Sequence, residues 1–361
     1  MSKKLKYALI GCGGCGENKH LASYEKYPDD IELAAVFDAD GARAKEIAER
    51  HKVPKVCSRY EELLADPTID IVSVATPNAW HAPITIAALR AGKHVHVEKP
   101  IAMNAREAQA IVDAKNRAHR KVMVGLNNRF TEIALYAKRY VDEGHLGEIY
   151  HARCGWRRRG GCNMFGRWFA DKKQSGGGPL IDLGVHFFDL TLFFMGFPAP
   201  VAVIGSCYDK IAHPPGTAKP GKNVMMGGNK ARGKFDVEDF AAGFVKLETG
   251  ASVAFEFSWG SHIERDTTYL ELLGSRGGLS MHDGVLKIFT EAAGGLVDII
   301  PQVQNTSGWG EHETRHFIDC VKYDREPIAP PEEAVKMMQI IDAVYASSRS
   351  GHEVVIGSRG R

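Results

Sequence analysis

Residues 5–38 constrain the fold more than any other stretch. LKYALI (5–10) is a short apolar run that ends abruptly in GCGGCG, so that Gly11, Gly13 and Gly16 fit G-x-G-x-x-G. A helix is predicted over about 16–27. A second strand, IELAAVFD (31–38), follows and ends in Asp38, 22 residues after Gly16. Strand, glycine turn, helix, strand and acid in that order is the dinucleotide-binding arrangement. The glycines let the backbone turn tightly and approach a pyrophosphate, while the helix N-terminus supplies N–H donors and the positive end of its dipole. The predicted cradle is therefore Gly11, Cys12, Gly13, Gly14, Cys15 and Gly16. Asp38 is placed to accept hydrogen bonds from the adenosine ribose. Its charge repels a 2′-phosphate, which favours NAD over NADP, although Arg43 stands close enough to temper that preference.

The alternation continues for about 125 residues. Helices are predicted over 41–51, 81–92 and 104–119, and buried strands over 70–76, 94–100 and 121–127. Such alternation builds a doubly wound parallel sheet. Ligands on these sheets bind at the carboxyl ends of the strands, where TPNAWH (76–81) and EKP (98–100) fall. After residue 145 the pattern changes to alternating strands, over 148–156, 237–248, 251–260, 267–275, 278–283 and 285–290. Helices are predicted over 309–323 and 331–349.

The chain of 361 residues has the length of two domains. With 44% hydrophobic and 25% charged residues it has the composition of a soluble globular protein. The formal charge of +2 gives no electrostatic case for nucleic acid or an acidic membrane as partner. No apolar stretch approaches the ~18 residues of a membrane span, and the first residues read as a strand rather than a signal peptide. Seven scattered cysteines fit a reducing cytoplasm better than a disulfide framework. Cys12 and Cys15 form C-x-x-C, but no second pair stands at metal spacing, so no metal is expected.

One further stretch stands out. SGGGPLIDLGVHFFD (175–189) carries Asp182, His186 and Asp189 among residues apolar enough for a buried helix. If a helix begins near Asp182, positions 182 and 186 share a face, as do 186 and 189. Buried ionisable groups cost free energy unless paired or used. A histidine satisfied by a neighbouring carboxylate and a working histidine are both compatible with that pattern.

Taken together, GCGGCG, Asp38, TPNAWH, VEKP, GLNNRF (125–130) and GGGPLIDLGVHFFD resemble the glucose-fructose oxidoreductase / inositol dehydrogenase / rhizopine-catabolism (Gfo/Idh/MocA) family. The resemblance runs from about residue 5 to about 356. It implies an α/β protein with an N-terminal Rossmann domain (1–125). A C-terminal α+β domain (126–361) would carry an open, mostly antiparallel sheet for substrate binding and for homodimer or homotetramer formation. The helix near 331–349 would pack back on the first domain. Lys99, Asp182 and His186 would form the catalytic group. An imidazole suits general-base duty at neutral pH, and a lysine can stabilise a developing oxyanion. Asp182 would orient a substrate hydroxyl or the lysine, and Asp189 would anchor the helix or the ring.

By the same resemblance the cofactor would also touch Thr76, Asn78, His81, Glu98, Asn127, Arg129 and Trp168. Domain packing is an equal reading for Arg129. Trp168 is followed by Phe169 where the family often has arginine, which weakens any arginine–pyrophosphate contact there. The stretch 154–169 would line the substrate pocket. Alternation at the strand end would turn at least one of Arg157, Arg158 and Arg159 inward, with Arg158 the one assigned to substrate, or leave a solvated basic edge. His262 and Arg265 could face the same pocket. Residues 209–234 read as a long loop, a lid or intersubunit arm on one reading and a surface loop on the other.

The expected activity is NAD-dependent oxidation of a secondary hydroxyl of a sugar, glycoside or cyclitol, with C3 of a glucopyranoside as the regiochemical guess. Two alternatives lie within the resemblance. One is a glycosidase that oxidises C3 transiently, eliminates the aglycone and reduces back. The other is a non-catalytic NAD-sensing regulator, which need not keep the lysine, aspartate and histidine that this chain has.

Overall fold

A computed structural model describes residues 4–160, 164–213, 233–303 and 310–357. The chain divides into two compact units, Met1–Thr131 with Thr306–Val335, and Glu132–Asn305 with Lys336–Arg361.

In the first unit, β1 (Leu5–Ile10), β2 (Ile31–Phe37), β3 (Lys55–Val56), β4 (Ile71–Val74), β5 (His94–Val97) and β6 (Val122–Val124) pair in parallel. Their spatial order is β3-β2-β1-β4-β5-β6. The order reverses between β1 and β4, so the carboxyl ends of those two strands bound the ligand-binding switch point of a dinucleotide fold. β1 and β4 are almost wholly apolar and buried, as strands covered on both faces must be. The segment after the glycine loop opens as a π-helix, Gly16–Leu21, before a short α-helical turn at Ala22–Tyr24. π-Turns inside helices are rare and are found mostly at functional sites.

In the second unit, the described strands are β7 (Ile149–Arg157), β8 (Pro200–Tyr208), β9 (Phe240–Leu247), β10 (Ser252–Ser258), β11 (Thr267–Gly274), β12 (Gly278–His282), β13 (Val285–Ala292), β14 (Gly295–Ile299) and β15 (Val354–Val355). They form one sheet in the order β14-β13-β12-β11-β7-β10-β9-β8-β15. β7 and β10 are parallel and the other pairs antiparallel, which gives the open, mostly antiparallel sheet expected.

β8 escaped the sequence reading. Gly205 interrupts its alternation, and the structure supplies the reason: a Cβ there would stand 3.0 Å from Val344 of the helix Pro331–Ser350. That helix is further stitched to the sheet by the Gly205 N–H donating to Ser347 Oγ (3.0 Å) and the Cys207 N–H donating to Ser348 Oγ (2.9 Å). Most of the 209–234 loop, and residues 161–163 of the stretch 154–169, lie outside the described residues.

Candidate active site

The chemistry-bearing residues fall into two groups, one in each unit. In the first unit the three signature glycines do different work. Gly11 has φ +100°, and a Cβ there would meet the Ala75 carbonyl oxygen at 2.5 Å. At Gly16 a Cβ would stand 1.9 Å from the Gly11 carbonyl oxygen, so only glycine lets the helix start press against the loop. Gly13 is exposed, and nothing lies within 4 Å of where its Cβ would be. No packing within the chain requires glycine at 13. The bare backbone there suits the approach of a pyrophosphate, and the loop residues as folded fit a dinucleotide.

Asp38 is fixed by that loop. The Cys12 N–H donates to its Oδ2 (2.6 Å) and the Asp40 N–H to its Oδ1 (2.9 Å). Arg43 is occupied: its Nε–H donates to the Cys12 carbonyl (3.0 Å), and its guanidinium is paired with Glu17 and Glu46. An arginine already neutralised by two carboxylates is poorly available to a 2′-phosphate, which strengthens the preference for NAD. Burial pushes the Cys12 thiol up to about 12, so it is an inert thiol rather than a nucleophile.

At the carboxyl end of β5, Glu98 is the hub of a buried polar cluster. Its Oε1 accepts from Lys19 Nζ (2.6 Å) and lies 2.8 Å from His20 Nε2. Its Oε2 accepts from the Lys99 backbone N–H (3.2 Å). Burial pushes the Glu98 carboxyl up, but Lys19 and His20 outweigh it and hold the group well below the ordinary carboxylate range. Burial depresses His20 to about 4, so it is neutral at pH 7. Cys15, His20 and Glu98 bring a thiol, an imidazole and a carboxylate within 4.8 Å of one another. The Lys19 ammonium already serves as the cation against that carboxylate. Lys99 is half-buried, and its bond to Pro100 is cis.

Two residues assigned to the cofactor by resemblance are engaged elsewhere. His81 has Nδ1 2.6 Å from the Pro100 carbonyl and Nε2 2.8 Å from the Thr76 carbonyl, so it braces the Thr76–Asn78 turn against the Lys99–Pro100 segment. Arg129 is fully buried, donates to the Ile328 carbonyl and pairs with Glu333 at 2.6 Å. Asn78 is buried in the same turn, and Thr76 and Asn127 are half-buried.

In the second unit, the helix predicted to begin near Asp182 begins later. Pro179–Asp182 is a short helix with proline at its first turn. Leu183 breaks it, and the helix Gly184–Phe194 then carries His186 and Asp189. Asp182 is thus the last residue of the first helix. The glycines ahead of it are forced by close packing. A Cβ at Gly177 would lie 1.8 Å from the Tyr345 hydroxyl, and one at Gly178 would lie 2.0 Å from the Glu238 carbonyl oxygen. The Tyr345 hydroxyl and the Leu180 N–H both donate to Glu238 Oε1, at 2.9 and 3.1 Å. Burial raises the Glu238 carboxyl.

Asp182 Oδ2 accepts the indole N–H of the fully buried Trp259 (3.0 Å). Trp156 lies 6.3 Å from the His186 ring, centroid to centroid, and the Arg158 guanidinium lies over the Trp156 ring, 4.8 Å from its centroid. Arg158, Trp156, His186, Asp182 and Trp259 thus gather donors, acceptors and an aromatic face. Arg157 turns to Glu256 (3.4 Å), and the Arg159 N–H donates to Asp266 (2.7 Å). His262 is exposed, Asp189 is buried, and Trp168 stacks on Phe169 at 3.8 Å. Lys19, His20, Glu313, Trp259, Glu238 and Tyr345 were not singled out by the sequence.

Residues 5–126 match the oxidoreductase family with an NAD-binding Rossmann fold, and residues 138–356 match the C-terminal alpha/beta domain of the same family. The chain is a member of the Gfo/Idh/MocA oxidoreductase family. Along its length it is similar to a D-glucoside 3-dehydrogenase of Escherichia coli (strain K12), with 30% identity over 354 residues covering 98% of each chain. It is also similar to a levoglucosan dehydrogenase of Pseudarthrobacter phenanthrenivorans, with 30% identity over 290 residues, 77% of this chain and 73% of the relative. A solved levoglucosan dehydrogenase in complex with NADH and levoglucosan shares the fold. It has TM-score 0.84 at 24% identity and covers 98% of this chain and 100% of that one. The family's NAD-binding domain is therefore the first unit, and the chain is an oxidoreductase.

Proposed function

We propose that this member oxidises a secondary hydroxyl of a sugar, glycoside or cyclitol with NAD, and that C3 of a glucopyranoside is the position attacked. The similarity to a D-glucoside 3-dehydrogenase over 98% of both chains carries this reading. Bound NAD supplies the hydride acceptor. The residues of the chain do the rest. His186 takes the hydroxyl proton as general base, a role an imidazole nitrogen is built for. Lys99 donates to the reacting oxygen and stabilises its developing charge. Asp182, braced by the Trp259 indole, orients a neighbouring hydroxyl. Trp156 offers an aromatic face for the apolar side of a pyranose and Arg158 a donor fork. Glu98, ionised beside the Lys99 backbone, secures the strand end.

The test is a screen of free sugars, polyols and glycosides with NAD, following reduced cofactor and aglycone release together. Stoichiometric NADH is expected. Aglycone release without NADH would replace the dehydrogenase by the transient-oxidation glycosidase, and no turnover with any sugar would leave the sensor. Lys99→Ala and His186→Ala should each lower turnover by about 10²-fold or more with NAD binding retained. Lost NAD binding would make those positions structural.

We also propose that the open sheet of the second unit joins copies of the chain. Tyr150, Leu273, Phe289 and Leu296 line one groove on β7, β11, β13 and β14, and Leu296 is 90% exposed. Exposed apolar side chains rimmed by polar and charged ones, here Arg276, Glu291 and Asp298, are typical of association surfaces. Leu296→Asp should reduce the mass read by light scattering to that of one chain. An unchanged mass would reject the sheet as the interface.

A further inference from the structure

The cluster below the nucleotide loop holds more negative charge than its own stability requires. Lys19 Nζ stands between two buried carboxylates, 2.6 Å from Glu98 Oε1 and 3.0 Å from Glu313 Oε2. Glu313 comes from the helix Glu311–Lys322, nearly 300 residues away in sequence, and is completely buried. Among the described residues neither Glu313 oxygen accepts a well-aligned hydrogen bond. Its other ionisable neighbour is His96, with Nε2 at 3.5 Å. Tyr24 and His20 close the far side of His96, with the Tyr24 hydroxyl 3.5 Å from its Nδ1 and the His20 ring at 4.5 Å. Gly310 (φ +82°) makes room for the lysine stem, since a Cβ there would meet Lys19 Cγ at 2.7 Å.

Burying two carboxylates around one ammonium is expensive and is weak evidence for stability. A single pair would cost less. Burial pushes the Glu313 carboxyl up, yet Lys19 and His96 outweigh it and keep it below the ordinary range, while Glu98 opposes them. Both carboxylates are therefore ionised at neutral pH. Cys15 adds no further negative charge, because burial and then Glu98 raise its thiol. Lys99, the next residue after Glu98, is a further cation close enough to act on Cys15 of the cluster.

The oxidised nicotinamide ring carries a formal positive charge and the reduced ring carries none. We propose that the Glu98–Lys19–Glu313 group is a charge selector that favours the oxidised cofactor over the reduced one and so biases the site toward substrate oxidation. The inference rests on the reading that Lys99 works at the nicotinamide, which puts Glu98 at the same strand end. One unit charge acting across roughly 10 Å at an effective dielectric of about 20 corresponds to a ratio of order tenfold.

The experiment is a pair of binding titrations, with NAD and with NADH, on the full chain at about pH 8.5, where imidazoles are neutral. Glu313→Gln removes one charge with little change in shape and should weaken NAD relative to NADH by about 3- to 10-fold. Glu313→Asp keeps the charge and should leave the ratio within about twofold. Melting curves establish that each variant is folded. Should Glu313→Gln not fold, Glu313→Met removes the same charge with an apolar side chain of similar length and should shift the ratio in the same direction. Equal shifts for both cofactor forms, or an unchanged ratio in a folded Glu313→Gln or Glu313→Met protein, would overturn the selector while leaving the dehydrogenase intact. Wild-type protein that binds neither form would overturn both.

Discussion

Gly13 and Gly16 belong to one motif but should fail in opposite ways when a methyl group is added. At Gly16 the new Cβ would sit 1.9 Å from the Gly11 carbonyl oxygen, against 3.4 Å or more for ordinary contact. Relief requires a backbone shift of more than 1 Å at the end of a buried strand. Overpacking of this kind costs about 3 kcal/mol or the upper part of the usual range. For a unit of this size that is a fall in Tm of about 6–12 °C. At Gly13 nothing lies within 4 Å of the added carbon, and the backbone is outside the left-handed region. Gly13→Ala should therefore melt no lower than wild type, and the stiffer unfolded chain can raise stability by up to about 1 kcal/mol, or about 2–4 °C. Its cost should appear only when NAD approaches, as a loss of about tenfold or more in affinity, about 1.4 kcal/mol. Thermal melting with and without NAD, together with calorimetric titration, separates the two outcomes. A Gly13→Ala protein that binds NAD normally would refute the cradle, and a Gly16→Ala protein that melts like wild type would refute the close approach.

Two further expectations concern charge. His20 and His94 are both depressed to about 4 by burial, so the unfolded chain, with imidazoles near 6.5, takes up protons before the native state does. Stability from these groups is complete above about pH 6.5 and is lost as pH falls toward 4, by up to about 3 kcal/mol for His20. A Tm that stays flat between about pH 7.5 and 4.5 would contradict their burial as neutral rings. Asp38→Ala removes both the acceptor meant for ribose and the 2.6 Å bond from the Cys12 N–H. It should weaken NAD by about 10-fold or more and narrow its advantage over NADP. An undiminished preference for NAD in titrations would move the discrimination to another residue.

How much of this could be read from the sequence follows from the range of each interaction. The glycine loop, the acid ending β2 and the alternating elements are local patterns, and their spacing carried them into the structure almost unchanged. The Asn104 cap is equally local: its side chain accepts from the Glu107 N–H at 2.9 Å, and the helix starts one residue later at Ala105. The helix break at Leu183 was less legible. GGGPLIDLG reads as one helix start, yet the chain forms Pro179–Asp182 and then Gly184–Phe194; the glycines ahead of it answer to Tyr345 and Glu238, which lie far along the chain. The parallel pairing of β7 with β10 was hidden for the same reason, because no short-range pattern specifies which strand lies beside which.

Glu313 marks the far end of that scale. In sequence it is one acid in EHETRHF, on a helix whose exposed side is also charged. Only the fold brings it to Lys19, and Lys19 itself reads as a surface lysine in ENKH until the π-turn directs it inward. The residues proposed to handle the cofactor could be found because backbone shape dictates their types. The buried Glu313 carboxylate could not, because any charged helix face would look the same. A charge measurement on Glu313→Gln therefore tests a part of the site that motif reading cannot reach.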